Sequence, residues 1–179
     1  AIELDPRSPV PPVALSYAYQ AAFEIEKSLN SAQKAVELDP ENALAWARVA
    51  ELWLSMGNLN RALDAAQAAV AKNPDLAKTQ TVLGFAYLTQ IRVEKAKMAF
   101  DRAIGLDQAD PLPRLGLGLA TIRRGNLDQG RRQIEIAMSL DPNNALIRSY
   151  LGKAYFDEKR DKKAGTQFEI AKTLDPKDP

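Results

Sequence analysis

The sequence contains no cysteine and no histidine. Their absence excludes disulfides, thiolate nucleophiles, Cys/His zinc sites and imidazole general bases within this chain, which is most of the usual catalytic inventory. It does not place the chain, because a cysteine-free protein suits an oxidising and a reducing compartment equally. An excess of one charge is missing too: 24 Lys and Arg stand against 23 Asp and Glu, a net charge of +1. Sequence-independent nucleic-acid binding needs a concentrated positive field, so nucleic acid is not an expected partner. No apolar run approaches the roughly 20 residues that span a bilayer, and the N-terminus lacks the charged and apolar regions of a signal peptide. Glycine is scarce, at 9 of 179 residues. What is abundant is Ala, Leu, Glu, Lys, Arg and Gln, the residues that lose least on entering a helix, so a nearly all-helical, ordered chain is expected.

A repeat organises those residues. AIELDP at residues 1–6 returns as AVELDP at residues 35–40, and Pro6, Pro40, Pro74, Pro142 and Pro176 all fall on one 34-residue grid, with Gln108 where the sixth proline would stand. On the same grid Ala35, Ala69, Ala103, Ala137 and Ala171 never vary. Ser28, Ala62, Ala96, Gly130 and Ala164 stay small, as do Ser16, Ala50, Gly84, Gly118 and Gly152. The column Ala32, Ala66, Phe100, Ile134, Phe168 mixes small with large, as interdigitating layers require. Trp46, Val49, Ala50 and Trp53 recur at one-face helical spacing, and so do Ala62, Ala66, Ala69 and Val70. Each repeat therefore reads as two helices of about 14 residues. Gly57-Asn58 and Gly125-Asn126 suit the turn between them because both residue types tolerate left-handed angles. Asp-Pro closes the repeat, since proline cannot continue a helix.

These columns resemble the tetratricopeptide repeat, in length, in the order of small and aromatic positions and in the late proline. The resemblance covers the whole chain. ALAWARVAELWLSMGNLNRALDAAQAAVAKNP is the fullest match, whereas in the first repeat Pro12 replaces the early aromatic and Phe23-Glu24 stands where a turn residue is usual. Pentatricopeptide, ankyrin and leucine-rich repeats fit less well in period or in strand signature. The resemblance implies an all-α, right-handed superhelical solenoid of antiparallel helix pairs. Its repeats would be residues 9–42, 43–76, 77–110, 111–144 and 145–178, after a remnant of a preceding repeat's second helix at residues 1–8.

In such a solenoid the groove is lined by the first helix of each repeat. Offsetting from the packing columns places Leu44, Arg48 and Leu54 there in the second repeat, and Lys78, Val82, Phe85 and Leu88 in the third. The fourth supplies Leu112, Leu115, Leu119, Ile122 and Arg123, and the fifth Tyr150, Lys153 and Phe156. This stripe is more apolar than a solvated face, and a helix apolar almost all round expects cover on both sides. The expectation is a groove between the third and fifth repeats that binds an apolar helix or extended segment, from a partner or from the same polypeptide. The bland alternative is that these residues simply pack against the second helices. The family's Lys/Asn/Arg carboxylate clamp does not carry over, because Arg48 and Lys78 find no Asn partner. The asparagine ladder of glycosyltransferase arrays is absent from the column Ala14, Arg48, Val82, Gly116, Tyr150.

Arg114, Arg123, Arg124, Arg131 and Arg132 form a local basic cluster, read as a solvated face partly balanced by Asp128 and Glu135. Asp39, Asp107, Asp141 and Asp175 share one column beside the proline, which assigns them turn and capping chemistry rather than calcium binding or catalysis. No catalytic residue, metal or cofactor is expected, and the leading function is a protein-binding scaffold. A structural spacer or self-assembly module, and a substrate-recruiting arm of an enzyme encoded elsewhere, are the other readings. TQTVLGFAYLTQ, ADPLPRLGLGLA and LIRSYLGKAYFDEKR look like arrays of large bacterial envelope proteins, which points to the periplasm or envelope and otherwise leaves the compartment open. The opening AIELDP reads as the cut edge of a longer array, whose uncapped ends would favour end-to-end stacking of copies.

Overall fold

The computed structural model describes residues 8–176, so the remnant expected over residues 1–8, Pro6 included, lies outside the described residues apart from Ser8. Those residues hold ten helices: α1 Val10–Ala21, α2 Ile25–Leu38, α3 Ala43–Ser55, α4 Leu59–Lys72, α5 Ala77–Thr89, α6 Val93–Leu106, α7 Pro111–Arg123, α8 Leu127–Leu140, α9 Ala145–Asp157 and α10 Asp161–Leu174. They gather into two compact units, one ending at Gln90 and holding α1 to α5, the other beginning at Ile91 and holding α6 to α10.

The turns between paired helices share one backbone solution. Residues 23, 57, 91, 125 and 159, one grid column, are all left-handed, with φ of 60° at Phe23, 73° at Gly57, 61° at Ile91, 93° at Gly125 and 59° at Lys159. Phe23 thus takes the glycine's place and α1 stops at Ala21. The asparagines that follow the glycines are not left-handed. Asn58 and Asn126 have φ of −86° and −94° and stand at helix N-caps, where Asn58 Oδ1 accepts the Arg61 amide at 3.3 Å.

The closing turns show why the other columns are fixed. Each invariant alanine is buried, and its carbonyl accepts the amide of the cap residue four places on, as in Asp39 to Ala35 and Asp141 to Ala137. The capping role expected of the aspartates is visible at Asp39 and Asp107, whose Oδ1 atoms accept the amides of Glu41 and Ala109 at 3.2 and 2.9 Å. The proline carbonyl accepts a side chain from the next helix: Trp46 Nε1 to Pro40 at 2.9 Å, Gln80 Nε2 to Pro74 at 2.8 Å and Arg148 Nε to Pro142 at 2.8 Å. Where Gln108 replaces the proline this bond is lost, and the buried Nε of Arg114 has no partner among the described residues.

The first unit is built from small residues around a polar knot. Ala32, Ala45, Ala47, Ala50, Ala62 and Ala66 are fully or almost fully buried, with Leu52 and Val49 between them. Arg48 is only 3 % exposed. Its Nε donates to Ser16 Oγ at 2.7 Å and its Nη2 to the Ser16 carbonyl at 3.2 Å. Tyr17 covers the guanidinium, with the ring centre 3.8 Å away.

The second unit uses larger side chains set against glycine. Leu115, Ile134, Ile147, Leu151 and Tyr155 form its core. α7 and α8 cross where Gly118 meets Gly130: a Cβ added at Gly118 would lie 2.7 Å from the Gly130 carbonyl, and one at Gly130 would lie 2.6 Å from the Gly118 carbonyl. Phe100, fully buried, occupies the space that a side chain at Gly116 would need. The close approach expected of the small columns is realised here, and so is the alternation of size.

Candidate functional site

The fifteen groove residues separate by unit. In the first unit Leu44 is half exposed, Leu54, Lys78 and Phe85 are partly covered, and Val82 and Leu88 are buried at 3 % and 8 % exposure. Arg48, placed among the groove residues by its spacing, is committed inward to Ser16, Ser28 and Glu51. Glu51 also receives Lys78, so this stretch is stitched together by its own ions. A buried arginine can place its donors on neighbouring hydroxyls and carbonyls, which the spacing alone does not reveal.

In the second unit Leu112, Leu119, Ile122 and Tyr150 pack partly buried against the core, and Leu115 belongs to it at 1 % exposure. The continuous apolar run of α7 is therefore mostly spent on packing, in line with the bland alternative. Arg123 is exposed at the end of α7. The open apolar surface lies one helix pair further on. Leu146, Ser149, Tyr150, Lys153 and Phe156 of α9, with Phe168 of α10, line a cleft of about 460 Å³. Leu146, Phe156 and Phe168 are 47 %, 61 % and 42 % exposed. Lys153 leans toward Asp157 at 3.4 Å and leaves one cationic group at the edge of the apolar walls. Of the expected groove residues Tyr150, Lys153 and Phe156 meet here. Phe168 falls in a packing column, and only its size, out of line with Ala32 and Ala66 in that column, could draw attention to it.

The basic cluster does not form a single face. Arg124 pairs with Glu94 at 3.1 Å and Arg132 with Asp128 at 3.0 Å. Arg131 is buried and makes three ion pairs, to Asp128 at 2.5 Å, Glu135 at 2.6 Å and Glu158 at 2.9 Å. Burial alone would lower the pKa of Arg131, but hydrogen bonds and charge from Glu158 and Glu135 outweigh it and hold the guanidinium above its ordinary value. Tyr155 donates to Glu135 at 2.6 Å, and burial followed by that bond pushes the phenol above its usual range. This is a structural ion network centred on the buried Arg131. Among the described residues no group of three acidic side chains is placed to hold a metal ion, and no helix is long and apolar enough to cross a membrane.

Paired helices stacked in sequence, with an apolar cleft beside a cation, define a helical-repeat solenoid of the binding-scaffold class. A family model described as tetratricopeptide repeat matches residues 13–77 and 115–179, and the chain belongs to that family. Among solved structures it is similar to TTC0263, a thermophilic TPR protein of Thermus thermophilus. Identity is 24 %, with 96 % of this chain and 93 % of that one covered and a TM-score of 0.87. It is also similar to a chain of the APC/C hetero-tetramer Cut9-Hcn1, at 20 % identity and TM-score 0.85, covering 99 % of this chain and 35 % of that one. YrrB, a TPR protein with an unusual peptide-binding site, follows at 21 % identity and TM-score 0.59, with 99 % and 91 % covered. At these identities the likeness is one of fold. No match was found among curated proteins.

Proposed function

We propose that this chain is a non-catalytic scaffold for protein–protein interaction, and that its ligand is an apolar helical or extended segment seated on α9 and α10. The observation that carries the reading is the cleft of about 460 Å³ walled by Leu146, Tyr150, Phe156 and Phe168. Large side chains held open to solvent around a concavity are the usual form of an anchor pocket, and Lys153 at its rim suits a segment with an acidic flank. The α7 stripe of Leu112, Leu119 and Ile122 extends the apolar character but supplies less open surface. Phe85 belongs to the first unit and is not part of this proposed site.

Chemical-shift mapping with amphipathic peptides of about 12 residues, roughly three helical turns, tests this. Perturbations are expected at Leu146, Tyr150, Phe156 and Phe168. Phe156→Glu is expected to weaken binding roughly tenfold or more, the range of a central anchor. Affinity unchanged by Phe156→Glu would overturn the α9–α10 site. A second reading, self-association, draws on Phe168, since its column mates Phe100 and Ile134 are fully buried while it is 42 % exposed. Copies that associate would show a mass that rises with concentration and falls back with Phe168→Glu.

A further inference from the structure

An open cleft of the first unit lies between α2 and α4. It measures about 560 Å³ and is lined by Val36 and Glu37 of α2, by Trp46, Val49 and Trp53 of α3, and by Asp64 and Ala65 of α4, among others. The repeat explains why it is open. Two repeats later the corresponding cleft is about 300 Å³ and is lined by Asp101, Leu117, Thr121, Gln129, Arg132 and Gln133. There Arg114 reaches across and its Nη1 donates to Gln133 at 3.0 Å. One repeat further on, Arg148 Nη1 donates to Gln167 at 2.8 Å in the same way. An arginine–glutamine strut thus joins the first helix to the second in both complete repeats of the second unit. In the first unit its two members are Trp46 and Ala65, so the strut is absent and the space it filled is walled by indole.

We infer that this cleft is a binding site for a guanidinium group carried on an apolar stem, that is, an arginine side chain of a partner segment. The position is one that this chain itself fills with arginine wherever the strut is kept. The wall chemistry matches: Arg61 already stacks over Trp53 at 4.7 Å, which shows a guanidinium accommodated on this surface. Trp46 is pinned by its bond to the Pro40 carbonyl and is a fixed wall for a second one. The charge matches as well. Asp64, in the column that carries Arg132 in the later cleft, is exposed and is in no ion pair among the described residues. Among the described residues Glu37 on the facing helix shares its charge only with the exposed Lys34, at 3.0 Å. Incoming arginine meets the Trp46 indole and the Glu37 and Asp64 carboxylates, two negative charges against the one positive charge of Arg61 in the same lining, whereas the strut of the second unit already supplies its own arginine.

The test uses a built-in probe, because both tryptophans of the chain line this cleft. Titrating the full chain with acetyl-Leu-Arg-Leu-amide should give a saturable change in indole emission. The citrulline peptide, which keeps the shape and loses the charge, should bind roughly tenfold or more weakly. Asp64→Asn, at an exposed position, should weaken the arginine peptide by roughly three- to tenfold. Trp46→Arg/Ala65→Gln installs the strut of the later repeats, keeps Trp53 as reporter and should abolish the response. No saturable change up to millimolar peptide, equal response to arginine and citrulline, or undiminished binding in the strut variant would each overturn the assignment. None of these outcomes touches the α9–α10 cleft, which holds no tryptophan.

Discussion

Arg131→Leu is expected to lower the stability of the second unit by about 3–5 kcal/mol, the loss typical when one partner of a buried ion network is removed. The side chain of Glu158 is only 11 % exposed, so without Arg131 it keeps a largely buried charge whose remaining cation is Arg160, itself 44 % exposed, at 3.0 Å. Asp128 is half exposed and adds little to the loss. The repeat itself holds the apolar alternative: three repeats earlier the columns of Arg131 and Glu158 are Leu29 and Met56, with Leu29 6 % exposed. Arg131→Leu/Glu158→Met should therefore recover most of the loss, because the cost lies in stranding a charge rather than in losing attraction. Urea unfolding followed by circular dichroism measures both. A single substitution that costs under about 1 kcal/mol would mean that water screens the network as it does a surface pair.

Phe100→Ala should cost a similar amount, about 3–5 kcal/mol, by leaving a cavity where a fully buried ring had filled the space over Gly116. Gly116→Val alone should also destabilise, since its side chain would be built into that ring. Together they should do less harm than either, for one repeat earlier the same two columns are Ala66 and Val82, both buried. Size is exchanged between layers while summed volume is kept. Strictly additive losses in the double variant, read from the same unfolding curves, would show that the two sites do not share one space.

The fold was largely open to reading because helix-pair repeats state themselves many times over. The alanine column, the proline column and the small columns each impose one local geometry at fixed spacing, and each stands where that geometry demands it. The candidate site was less open, because periodicity tells which side of a helix a residue takes and not how far its neighbours reach. Arg48 shows the difference. Its position on the first-helix stripe is what the spacing implies, but Ser16 and Ser28 on the two preceding helices draw it inward. Leu115 and Val82 likewise sit on the expected stripe and are covered by adjoining helices. Trp46 and Trp53 do hold the packing columns that their spacing assigns, while the cleft beside them depends on Ala65, a residue whose small size matters only against the glutamines at its equivalents.

The left-handed turn column has a bearing on how this chain could be made more heat-tolerant. Only Gly57 and Gly125 meet that angle without a steric penalty. Phe23, Ile91 and Lys159 hold it at a cost of about 1–2 kcal/mol each, worst for the β-branched Ile91. Phe23 and Ile91 are 81 % and 64 % exposed, so neither is fixed by packing. Glycine at either would relieve that cost against about 0.5–1 kcal/mol of added chain entropy in the unfolded state. The balance favours a melting point a few degrees higher for Ile91→Gly, with the residues of the α9–α10 cleft left as they are.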